Sequence, residues 1–167
     1  MATQAMTRAP HRSYGNPAKA ILLGGSIVGI LDLAYAILVY SPRNPIRIGQ
    51  AIASGVLGAQ SYEGGLKSAA LGVVLHFLIA FIFTAIYYLA SRRLRFLRDQ
   101  AVVAGLIYGA LVYQAMHWIV LPLSAVPPGH TPFIYKAFEF VEHWFFVGLP
   151  ISMAVRRYDE RPETKNP

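Results

Sequence analysis

Four long apolar stretches leave this chain little choice of fold, and each of them carries an ionisable side chain inside it. Apolar runs of about 20 residues match the ~30 Å hydrocarbon core of a bilayer, because a helix rises ~1.5 Å per residue. Lipid offers backbone groups no hydrogen bonds, so each run is expected to be a helix that satisfies its own. Asp32 sits in the first run, His76 in the second, His117 in the third, and Glu139, Glu142 and His143 in the fourth. An ionisable group inside a span costs at least ~2.5–3.5 kcal/mol on insertion scales, so these six residues are the first candidates for function.

Composition supports the same reading. Hydrophobic residues make up 55% of the 167 and charged residues only 14%, against about 25% charged in a soluble domain. There is no cysteine, which excludes disulfides, thiolate metal sites and cysteine nucleophiles. The net charge of +7 points only superficially to nucleic acid. No basic stripe with interleaved stacking aromatics occurs, so the expected partner is the lipid bilayer and not nucleic acid.

The expected fold class is all-α: an integral membrane bundle of four transmembrane helices. Residues 1–19 are polar, contain Pro10 and Pro17, and read as a disordered cytoplasmic N-terminus. The spans read as about 20–40, 68–90, 101–123 and 134–155, followed by a charged tail over 156–167. Arg8, Arg12 and Lys19 precede the first run, and an Ala-x-Ala pattern lies at Ala34–Ala36. The run nevertheless continues to Tyr40, too long for a signal-peptide core, so an uncleaved first helix is expected. Between the first two spans, Ile48, Ile52 and Val56 recur at helical spacing over 46–60, broken by Gly49, Gly55 and Gly58. This segment is too short to span; it reads as a short extracytoplasmic interfacial helix, with a re-entrant segment as the alternative.

Loop charge sets the expected orientation. With both termini in the cytoplasm, eleven Lys and Arg residues fall on that side, Arg92, Arg93, Arg95 and Arg98 among them. Four fall on the other: Arg43, Arg47, Lys67 and Lys136. The positive-inside rule therefore favours cytoplasmic N- and C-termini.

The polar residues fall at one depth. Counting ~1.5 Å per residue, Asp32 and His76 each lie ~12 Å from the outer edge of the core and His117 ~9 Å. Glu139, Glu142 and His143 lie ~8, ~12 and ~14 Å from it. Small residues share their helix faces: Gly25 and Gly29 with Asp32, Gly72 with His76, and Gly105 and Gly109 with His117. Such faces let helices approach closely, so the polar layer is expected to point into the bundle.

That layer admits more than one chemistry. Buried polar groups can simply hydrogen-bond helices together, at around 0.6 kcal/mol each. An Asp32–His76 pair can instead exchange a proton, since histidine titrates near neutrality. Lys136 is placed to pair with Glu139 at i+3. His76 with His117 or His143 would meet the two-histidine requirement of haem b. Glu139-x-x-Glu142-His143 has no partner motif of the di-metal bundle kind on another helix, so no metal is expected. No motif calls for a cofactor. Gly24-Gly25 is not a nucleotide fingerprint, and neither a nucleophile elbow nor a zinc-protease motif occurs, which weighs against an enzyme.

Several blocks carry a resemblance: ASGVLG (53–58), EGG (63–65), LGVVLHFLIAFIFTAIYYLASRRL (71–94), GLIYGALVYQAMHWIVLPLS (105–124) and VGLPISMAVRR (147–157). Over roughly residues 20–157 the chain resembles a family of four-helix proteobacterial inner-membrane proteins of no established activity. More distantly it is similar to the YagU-type inner-membrane family. The resemblance implies a bacterial cytoplasmic (inner) membrane location and singles out Ser54, Glu63 and His76. The expected function is that of an integral membrane protein with a buried polar layer, serving proton-linked transport or small-ligand binding. The alternatives are a structural or accessory subunit and a haem- or quinone-binding redox protein. Four helices are few for a complete transporter, so transport would call for a homo-oligomer or a larger membrane complex.

Overall fold

The computed structural model describes residues 16–129 and 132–158. The N-terminal segment up to residue 15 and the tail from residue 159, both expected to be unstructured or charged tails, lie outside the described residues. The described residues form helices and short links, with no strand among them. Among the described residues, four helices are long and apolar enough to cross a membrane: Pro17–Tyr40, Gly65–Ser91, Ala101–Val120 and Phe133–Tyr158. This is a multi-pass membrane protein by the length and composition of its helices. Leu22, Leu38, Leu66, Val74, Leu89 and Leu123 stand exposed on its outside, as side chains do when the solvent is lipid.

Helix α1 (Pro17–Tyr40) starts before Ala20, so residues 17–19 are helical and not part of a disordered terminus. The cause is a cap: the Asn16 side chain accepts a hydrogen bond from the Lys19 N–H at 3.0 Å, and Pro17 follows at the first helical position. Helix α2 (Ile46–Leu57) continues into a 3₁₀ turn, Gly58–Tyr62, and α3 (Gly65–Ser91) is the longest helix. A single turn, α4 (Phe96–Asp99), leads into α5 (Ala101–Ala115).

The third and fourth spans are not plain α-helices. After α5 the chain widens into a π turn, Met116–Val120, where the Leu121 N–H reaches back to the Met116 carbonyl at 2.8 Å. The third span therefore stops at Val120, with 121–123 already in a turn. The fourth span is α6 (Phe133–Glu142), a second π turn over His143–Gly148, and α7 (Leu149–Tyr158). Pro150 lies just beyond that turn and has no N–H to give, so the regular ladder is already interrupted there. The helix runs on to Tyr158, past the expected end at 155.

Helix α1 packs against α3 on one side and against the fourth span on the other, and α5 packs against the fourth span. Glycines set these approaches. Phe81 and Phe77 of α3 fill the notches left by Gly25 and Gly29 of α1. Gly105 and Gly109 of α5 meet Gly148 and the His143 carbonyl, where an added Cβ would overlap backbone. Gly72 of α3 leaves room for the Gly49 carbonyl, which brings α2 directly onto α3. Helix α2 is thus packed on the bundle along one face, with Ile48, Gly49, Gln50, Ala53 and Ser54 buried. Helices α3 and α5 do not pack closely backbone to backbone, and the space between them stays open at one end of the bundle.

Candidate functional site

That space is a cavity of about 520 Å³. Its walls are Val28, Asp32, Ala36 and Tyr40 of α1, the stretch from Leu75 to Phe83 of α3, and Val112, Met116 and His117 of the third span. Glu139, His143 and Val147 of the fourth span complete them. Helix α2 covers it with Ile48, Ala51, Ile52, Gly55 and Val56, while Ser124 and Val126 close the remaining side. The cover is fixed at two edges. Gly49 sits on Gly72, and the Ala125 N–H donates to the Gly55 carbonyl at 2.9 Å.

Five of the six ionisable candidates line this cavity: Asp32, His76, His117, Glu139 and His143. Glu142 lies behind the wall, its side chain 2% exposed, with one oxygen 2.8 Å from Nδ1 of His143. The six group into three carboxylate–imidazole pairs. Asp32 and His76 bridge α1 and α3 at 3.9 Å. Glu139 and His117 bridge the fourth and third spans at 4.0 Å. Glu142 and His143 are neighbours on the fourth span.

Backbone carbonyls fix the imidazole tautomers, because a carbonyl only accepts. His76 donates from Nε2 to the Gly29 carbonyl at 3.0 Å, across the α1–α3 interface. His117 donates from Nδ1 to the Tyr113 carbonyl at 3.0 Å, and His143 from Nδ1 to the Glu139 carbonyl at 2.8 Å. In neutral His117 the other nitrogen, Nε2, therefore presents a lone pair toward Glu139, 4.0 Å away. That gap is too long for a direct hydrogen bond and wide enough for a bridging atom. Neither oxygen of Glu142 has a well-directed hydrogen bond: Nδ1 of His143 is close, but its hydrogen points at the Glu139 carbonyl. Tyr113 braces both histidines, with its ring centroid 4.1 Å from that of His117 and 5.5 Å from that of His143.

Glu139 turns toward His117 rather than being committed to Lys136, which stands exposed one turn earlier. A haem iron at His76 would have to compete with the Gly29 carbonyl for Nε2. Among the described residues, no three of the His, Asp and Glu side chains converge as metal ligands would. Ser54 is buried, donating to the Ala51 carbonyl at 2.6 Å on the face of α2 turned from the cavity. Glu63 is exposed at the end of the 3₁₀ turn. Neither lines the cavity.

Compared with family models, curated proteins and solved structures, the chain has no significant match. The site thus stands on its own geometry. Sequence reasoning missed three parts of it: the α2 cover, the pairing of His117 with Glu139, and Tyr40 in the wall. It also missed that both π turns contain a cavity histidine, His117 in one and His143 in the other. Single π turns inside α-helices concentrate at functional sites. No spacing in the sequence announces them; the one available signal is Pro150 beside Gly148.

Proposed function

We propose that this chain is a bacterial inner-membrane protein, with both termini cytoplasmic, whose cavity binds a small ligand and exchanges protons through its carboxylate–imidazole pairs. The observation that carries this reading is the convergence of five ionisable side chains from all four spans on one cavity of about 520 Å³. Cavities of roughly 300–1,000 Å³ with mostly apolar walls and a few placed polar groups are the usual form of small-ligand sites. In the Glu139–His117 pair the free Nε2 lone pair faces the carboxylate, so one proton can be held by either partner. The loop charges support the orientation. The resemblance to four-helix inner-membrane proteins supports the location.

A second reading has its own observation. The His76–Gly29 hydrogen bond ties α3 to α1, as expected of a polar layer that serves only as helix glue in an accessory subunit. Infrared difference spectroscopy on the purified protein in lipid, across roughly pH 5–8, separates the two. Proton-linked binding predicts carboxyl bands that respond to pH, and that Asp32→Asn and Glu139→Gln each remove one while the fold persists. Bands that stay silent over that range, with His76→Gln unfolding the protein, would leave the glue reading standing.

A further inference from the structure

We infer that the ligand is a lipophilic organic cation, and that it competes with protons for the cavity. This rests on the proton-linked binding reading above and specifies its ligand.

The charge in and around the cavity decides the sign. Facing it are Asp32 and Tyr40 from α1, His76 from α3, His117 from the third span, and Glu139 and His143 from the fourth. Tyr113 lies against the two latter histidines, and Glu142 lies behind His143. Helix α2 and the 124–126 link contribute no charged side chain. Among the described residues no lysine or arginine lines the cavity, and Lys136, one turn from Glu139, is exposed. Every positive charge the site can make for itself is therefore a proton on a histidine. With the imidazoles neutral, the fixed counter-charge near the three carboxylates is the exposed Lys136 beside Glu139, outside the cavity, in a setting where unpaired charge is costly. An anionic ligand would add to that cost, a neutral one would leave it, and a cation relieves it.

The walls decide the rest. Val28, Ile48, Leu75, Ile79 and Met116 offer dispersion contact, and the oxygen and nitrogen donors among the described residues do not converge in threes, which suits an organic body better than a metal ion with its demand for several donors at once. Tyr40 and Phe83 add aromatic rings in the same wall, of the kind on which organic cations settle. Glu142 follows the same rule: its carboxylate is buried, and its close neighbour is the His143 imidazole at 2.8 Å, which carries positive charge only when protonated.

The test uses three probes of similar shape and different charge: tetraphenylphosphonium, tetraphenylborate and neutral triphenylphosphine oxide. Each is measured by equilibrium dialysis against the protein in lipid nanodiscs, with empty nanodiscs as blank. The cation should bind saturably, and more tightly than either other probe. Its affinity should rise with pH, by up to about tenfold per pH unit for each proton it displaces. Glu139→Gln and Asp32→Asn should weaken it and flatten the pH dependence, while Glu139→Asp should retain both. Size-exclusion and thermal unfolding establish that each variant is folded. Binding of the neutral probe as tight as the cation, or cation binding indifferent to pH and to both variants, overturns the inference. If the pH-responsive carboxyl bands persist in that case, only the ligand class falls; if they too are absent, proton-linked binding falls with it.

Discussion

The two ends of this bundle use polar side chains in opposite ways. At the closed end, Tyr87, Tyr108, Thr84, Ser91 and Ser152 all bear neutral hydroxyls, and each finds a carbonyl. Tyr87 donates to Leu97 and Tyr108 to Phe83, both at 2.7 Å; Thr84 donates to Ala80 at 2.8 Å. Ser91 and Ser152 bond back within their own helices. Around them Ala104, Ile151 and Val155 pack without exposure to speak of. At the cavity end the polar groups are ionisable; the imidazoles bond backbone carbonyls, their carboxylate partners on other spans stand off at 3.9 and 4.0 Å, and space remains between them. Polar residues in a membrane bundle are thus not one class. Satisfied hydroxyls sit in the packed core, where Tyr87 and Tyr108 tie one element to another, while incompletely satisfied carboxylates beside a cavity are available to something else.

The seam shared by both ends should give the largest effect. Gly109 packs on the His143 carbonyl and Gly148, so Gly109→Val forces α5 off the second π turn. We expect a loss of about 3 kcal/mol or more and little folded protein, read from unfolding in mild detergent and from yield. Recovery of wild-type stability would mean that the two helices can separate, and that the cavity is not held by this contact.

A smaller effect should separate the ends. Ile151→Ala removes a fully buried side chain at the closed end and should cost about 2 kcal/mol or more. Leu75→Ala enlarges a cavity that already exists and should cost less, within about 1 kcal/mol on the same reasoning about residual space. Equal losses in a side-by-side thermal or denaturant series would show that the cavity end is as tightly packed as the other.

The smallest effects sharpen the contrast in chemistry. Tyr108→Phe deletes a satisfied hydrogen bond and should lower stability by around 0.6 kcal/mol. Glu142→Gln deletes a buried carboxylate with no directed donor and should leave stability unchanged or raise it. Opposite signs in the two unfolding curves are the expected result; a matching loss in both would place Glu142 with the structural hydroxyls.

How much of this was legible beforehand follows from where the information lies. Four spans were legible because lipid forces the apolar runs to be long and continuous. That Asp32, His76, His117, Glu139 and His143 meet at one level of the bundle was legible because helical rise is fixed. Facing was legible only in part. An unbroken helix predicts which residues share a side, and the Asp32–His76 approach falls within unbroken α1 and α3. The approach of His117 to Glu139 involves a residue inside a π turn, where the α-helical count no longer applies. The position of α2 depends on Gly49 meeting Gly72, a contact between separate elements that neither one's pattern reveals. The start of α1 was the opposite case: Asn16-Pro17 is a local cap signal, and it is in the sequence.

The π turns also bear on how the gene can change. Losing one codon from a membrane-spanning helix normally rotates everything beyond the deletion by about 100° and dismantles the packing. Here each of two helices already holds one residue more than the α count requires. A single deletion within Met116–Val120 can be absorbed by closing that turn to ordinary α geometry, leaving α5 and the link after it in register. What it would shift is His117. The same lesion that elsewhere destroys a protein would in this one cut out a side chain's aim and spare the scaffold, so an in-frame deletion becomes a scalpel for the site.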